Sequence, residues 1–216
     1  MRSGVSIAIL LACPLVAVHA EILDRIAVSV GNRVITQTDL DLEIRITALM
    51  NSAKPDFTAA SKRQTAERMV DQLLVRNELE ASRYLMPSTA DTDAALNEEV
   101  SRFASADVYR RALAEYGVTE PELKTRLLWQ LTLVRFIDVR FRPGIQVADD
   151  DIRNYFNEHL RAAAMQAHPG QTPSVDDYRE SIEQTLTGQA ANQQVETWLK
   201  EVRRRTRIIY HDEVFQ

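Results

Sequence analysis

The chain has 216 residues, with 26 Lys plus Arg against 31 Asp plus Glu, a formal charge of -5, and 45% hydrophobic residues. That balance excludes a disordered chain, a collagen-like chain and a multi-span membrane protein, and the mild acidity argues against a general nucleic-acid binder. With only 6 Gly and 7 Pro, the turns of an all-β protein are missing, so long helices with few breaks are expected.

Residues 1–20 read MRSGVSIAILLACPLVAVHA. A basic Arg2, an apolar stretch and Val18-His19-Ala20 make a secretory signal peptide, cleaved after Ala20. The stretch is about fourteen residues, and a spanning helix needs roughly 20. Leu10-Leu11-Ala12-Cys13 loosely resembles a lipoprotein processing site, but the apolar run before Cys13 is short and Pro14 follows. Cys13 is the only cysteine, so residues 21–216 have no disulfide, thiolate or Cys-metal chemistry. The expectation is an exported domain over 21–216, in the periplasm, without stable membrane insertion once the signal is cleaved.

Ile26, Val28 and Val30 alternate with Arg25 and Ser29, then Gly31-Asn32 leads into Arg33-Val34-Ile35. Two β-rich runs around a Gly-Asn pair predict a two-residue hairpin. Thr36 and Asp39 form a capping-box-like start to a helix over 39–50. A linker at 51–56 precedes a long amphipathic run at 59–85, with Ala66, Met69, Val70, Leu73, Leu74, Asn77, Ala81 and Tyr84 on one face and Pro87 as its stop. Helices follow at 92–103 and 107–116, the second closed by Gly117. Thr119, Pro121 and Glu122 start a helix to about residue 142. Its second half is apolar nearly all round, so it sits centrally or offers a face to a partner. After Pro143-Gly144, residues 149–163 read as one amphipathic helix through Ile152, Tyr155, Phe156, His159, Leu160 and Ala163. A linker at 168–173 leads to a last helix capped by Ser174 with Asp177, and residues 207–210 end the pattern as a strand.

Three segments carry a resemblance. They are DRIAVSVGNRVITQTDLDLEI (24–44), FASADVYRRALAEYGVTEPELKTRL (103–127) and VETWLKEVRRRTRIIY (195–210). In this order they resemble the N-terminal module of SurA-type periplasmic chaperones. The resemblance implies a mainly α fold: a helical bundle with a small antiparallel sheet made of the N-terminal hairpin and the C-terminal strand. It also implies a peptide-binding cradle related to the trigger-factor substrate-binding domain. Two departures stand out. Many family members insert a parvulin prolyl isomerase domain before the last helix, whereas the interval at 164–174 is about eleven residues, too short for a folded domain. Ala148-Asp149-Asp150-Asp151 stands where the family commonly has a Thr or Ser cap followed by acids, and Asp149 can serve as the cap instead.

The expected role is therefore an ATP-independent holdase for unfolded or extended exported polypeptides, outer-membrane protein precursors among them. No enzyme activity, cofactor, metal or nucleic-acid partner is expected, and a homodimer is left open. The alternatives are a prolyl isomerase, which the family name suggests and the short interval opposes, and an assembly subunit with one dedicated partner. Tyr109, Tyr116 and Trp129 are the candidate exposed aromatics for gripping clients. His159 reads as an inward-facing core residue and His168 as a linker residue, and neither has a partner at zinc-ligand spacing. Asp149 to Asp151 read as a helix start favoured by the macrodipole, and Arg203, Arg204, Arg205 and Arg207 as a solvated helix end.

Overall fold

A computed structural model describes residues 24–82, 84, 86–167 and 173–216. The signal peptide expected at residues 1–20, the Cys13 motif, and His168 with most of the expected 168–173 linker lie outside the described residues.

The hairpin forms as expected. Strand β1 (Ile26–Val30) and strand β2 (Arg33–Thr36) pair antiparallel across Gly31-Asn32. Gly31 takes φ +60 while Asn32 keeps a negative φ, which is the demand of a type II′ turn with Gly at its first position. Strand β3 (Ile208–Tyr210) adds to the other side of β1, giving the order β2-β1-β3. One detail departs from simple alternation. The register shifts between Ile26 and Val28, so Ala27 is fully buried and Ile26 turns outward. A bulge inserts one residue and moves the preceding side chain to the other face.

Helix α1 (Gln37–Met50) starts at the Thr36–Asp39 capping box. Helix α2 (Ala59–Ala81) is capped by Thr58 and stops four residues earlier than its pattern suggests. Tyr84 then leaves the helical path and meets Phe136 edge-on, with centroids 5.4 Å apart. Helix α3 (Thr89–Ser101) has its own capping box in Ser88 and Asp91. Helix α4 (Ala106–Tyr116) closes on Gly117 at φ 60, ψ 40, where the Val118 amide donates to Leu113 O at 2.9 Å. That six-to-one bond satisfies a terminal carbonyl and needs the left-handed residue beneath it. Helix α5 (Glu120–Arg140) begins at the Thr119–Glu122 box.

The segment after Pro143 differs from the expected single helix. Helix α6 (Asp149–Tyr155) runs into a π-helical turn at Phe156–Leu160, then helix α7 (Arg161–Ala167). The π turn takes one extra residue, so the buried face passes from Ile152 and Phe156 to Ala164 and not Ala163. His159 is rotated out with it: its side chain is more than half exposed, and its ring lies 4.6 Å from that of Tyr155. The N-cap is Ala148, which makes no side-chain cap bond, and Asp149 instead pairs with Arg179 at 2.6 Å. Ser174 caps a short 3-10 turn at Val175–Tyr178, accepting from the Asp176 amide, and helix α8 (Arg179–Arg205) follows without a side-chain cap.

Packing divides into adjoining clusters. The sheet packs its inner face on α1 and α2 through Val28, Val30, Leu40, Ile44, Val70 and Leu74. Ile46, Leu49, Tyr109, Leu113, Leu123 and Leu127 join α1, α4 and α5. Phe136 centres a third cluster, with Phe141 and Trp198 each 5.5 Å from its ring. Ile152, Phe156 and Ile182 join α6 to α8. The expected class, a helical bundle with a small sheet closed by the C-terminal strand, is the observed one. The basic end of α8 is not simply solvated. Arg203 reaches α2 and donates to Asp71 at 2.6 Å and Glu67 at 2.8 Å, while Arg204 and Arg205 stay exposed against Glu201.

Candidate functional site

An open groove runs between β2 and α1 on one side and α2 and α5 on the other. Its larger end, about 350 Å³, is lined by Val34, Leu42, Met69, Leu73 and Trp129 among others. A smaller hollow of about 220 Å³ continues it through Leu79, Met86 and Leu128. Arg76, Thr125 and Trp129 line both, so they form the junction. The larger volume lies within the range of ligand-binding pockets.

The local sequence explains each wall. Three consecutive residues of β2, Arg33 to Ile35, line the groove. In a strand, neighbours point to opposite faces, so three in a row means that the groove borders the edge of the sheet. Among the described residues β2 pairs with β1 alone, leaving that edge available. On α2, Met69, Leu73 and Arg76 recur at helical spacing beside the buried Val70 and Leu74 and are less deeply covered. On α5, Trp129 and Thr132 are buried, while Leu128 is half-buried.

The charges of the groove are mostly engaged. Arg126 donates to the buried Glu43 at 3.1 Å. Arg33 pairs with Glu80. Asp39 is held by the Thr36 amide at 2.9 Å and Glu122 by the Thr119 amide at 2.7 Å. The Thr119 hydroxyl and amide hold the Glu122 carboxyl below its ordinary value. Arg76 lies over the Trp129 ring, 4.6 Å from its centroid. Desolvation in the concavity, with repulsion from Arg33, lowers the pKa of Arg76.

The three expected client-gripping aromatics do not form one exposed surface. Tyr109 is only 4% exposed, packed on Phe103 and away from the groove, and burial with the Glu120 carboxylate nearby pushes its hydroxyl up to about 12. Tyr116 is half-buried and donates to Ala53 O at 2.9 Å, pinning the α1–α2 linker. Trp129 is 5% exposed, yet it alone of the three borders the groove. Tyr109 is buried because Leu113 of its own helix and Leu123 and Leu127 of α5 cluster with it, and Trp129 because it packs in the Val75–Phe136 cluster beneath Arg76 of α2. Sequence reasoning missed Val34 and Arg76. Val34 is signalled by its outward place in the hairpin, whereas Arg76 carries no signal until Trp129 is known to lie under it.

The fold also brings Ser29 Oγ on β1 to 3.1 Å from Nε2 of His211, the residue that follows β3. Glu213 Oε1 stands 3.9 Å from His211 Nδ1, beyond hydrogen-bond reach, so the imidazole lacks the oriented partner of a catalytic triad. Among the described residues no group of three or more His, Cys, Asp or Glu side chains is placed to hold a metal ion. No helix among them is long and apolar enough to cross a membrane.

Known proteins add one likeness. The chaperone SurA of Pseudomonas putida is 27% identical over 154 residues, which is 67% of this chain. The likeness is distant, and it is to a chaperone. The match spans 35% of that protein's length, about a third. No family model matches the chain.

Proposed function

We propose that this protein is an ATP-independent periplasmic holdase that cradles unfolded or extended exported polypeptides, outer-membrane protein precursors among them, in the groove between β2, α1, α2 and α5. The observation that carries the reading is the groove itself: apolar side chains interspersed with mostly paired charges, beside an available strand edge. An extended chain can add to such an edge through its backbone, independent of sequence, while alternate side chains enter the apolar hollow. The distant similarity to a chaperone supports it. The role is binding and not catalysis, with no cofactor, and the short interval between α7 and α8 supports it by leaving no room there for an inserted isomerase domain.

The test dilutes a urea-unfolded outer-membrane barrel protein into buffer with and without the purified protein and follows light scattering. Suppression near one-to-one is expected. Val34→Asp puts a charge at an exposed edge position and leaves the core intact, so it should stay folded by circular dichroism and lose suppression several-fold. A folded wild-type protein that suppresses nothing refutes the holdase reading and moves the weight to a dedicated partner. A proline-peptide isomerisation assay should show no acceleration.

A further inference from the structure

Seven charged side chains line the groove and its continuation: Arg33, Asp39, Glu43, Arg76, Glu80, Glu122 and Arg126. Six are engaged, in the pairs Arg33–Glu80 and Arg126–Glu43 and in the capping boxes of Asp39 and Glu122. The seventh, Arg76, makes no ion pair or hydrogen bond to any described residue and stands at the junction of the two hollows. It is solvent-accessible, yet its guanidinium rests on the Trp129 ring in a concave, partly dry setting. A cation so placed keeps its fork of N–H donors for an arriving acceptor, and the low-dielectric walls strengthen that contact relative to open water.

We propose that the groove selects extended polypeptide segments in which an Asp or Glu has apolar residues two positions to either side, the carboxylate docking on Arg76 while those apolar side chains, on the same face of the strand, enter the Val34–Met69–Leu73 and Leu79–Met86–Leu128 hollows. This rests on the polypeptide-binding reading and gives it a side-chain preference. Basic segments are disfavoured, because the nearby acids Glu80 and Glu43 are already paired with Arg33 and Arg126, so a lysine at the junction meets Arg76 with no unengaged carboxylate beside it.

The test uses three fluorescein-labelled peptides with blocked termini and one apolar pattern, carrying Glu, Gln or Lys at the centre. Binding to the purified protein is followed by anisotropy. The Glu peptide should bind about tenfold tighter than the Gln peptide, with the Lys peptide weakest, and added salt should narrow the gap. Arg76→Gln should bind the Glu and Gln peptides alike. Arg76→Glu should reverse the order in favour of Lys, a gain that misfolding does not produce. Equal binding of the Glu and Gln peptides to the wild type, or an unchanged order in Arg76→Glu, overturns the proposal while leaving polypeptide binding standing. Binding of none of the three by a folded protein overturns polypeptide binding, and the preference with it.

Discussion

Single carboxylates set where these helices begin. Glu122 accepts from both the amide and the hydroxyl of Thr119 at 2.7 Å, and Asp91 does the same for Ser88 at 2.8 Å. These bonds favour the ionised acid, so the pKa values of both are lowered in the folded protein. A carboxyl with a depressed folded pKa stabilises the protein above its unfolded pKa, and that stabilisation disappears as the pH falls through the folded value. For Glu122 the window therefore opens at its ordinary 4.5 and extends downward. Glu122→Gln should melt below wild type at neutral pH, and the gap should close as the pH drops below that value. Thermal melts at a series of pH values check it, and a gap independent of pH would rule out the carboxylate as the source.

At the scale of elements, the π turn between α6 and α7 is the sharpest departure from pattern. Ile152, Phe156 and Ala164 share one buried face only because the extra residue sits between Phe156 and Leu160. Glu158 is exposed within that turn. Deleting it gives a regular α-helix with the same three residues facing inward, at spacings of four and seven. The expected outcome is a melting temperature within about 3 °C of wild type, since no buried contact is lost. A larger fall would mean that the turn itself is required, as such turns are at functional sites. The hollow formed by Tyr155, His159, Leu186 and Gln189 beside the turn would then merit mutation.

The whole molecule is held closed at its ends. The chain returns so that β3 lies on β1, and Arg203 locks the end of α8 onto α2 through Asp71, Glu67 and the Glu67 carbonyl, the last at 2.9 Å. Arg63 adds to the same corner, 3.8 Å from the Tyr210 ring centroid. Truncating Arg203 leaves two carboxylates without their shared partner. Arg203→Ala should cost about 2 kcal/mol in urea unfolding, and Arg203→Lys should recover only part of it because a single ammonium cannot span both acids. Arg204→Ala and Arg205→Ala should stay within about 0.5 kcal/mol of wild type, being exposed pairs. Equal effects at all three positions would refute the clamp.

Much of this architecture is local and therefore readable in the chain. The hairpin around Gly31, the boxes at Thr36 and Thr119, and the left-handed close at Gly117 depend on residues within a few positions of one another. Their geometry follows from backbone sterics and short-range hydrogen bonds. The three-segment resemblance carried the return of β3 to β1. What only the tertiary structure decided depends on residues far apart in sequence. Trp129 looked like a free aromatic until α2 laid Arg76 over it. Arg203 looked solvated until α2 supplied Glu67 and Asp71. His159 looked inward until the π turn rotated it out. Periodicity reports which face of a helix is apolar, but not what covers it, and the groove exists only where covering stops.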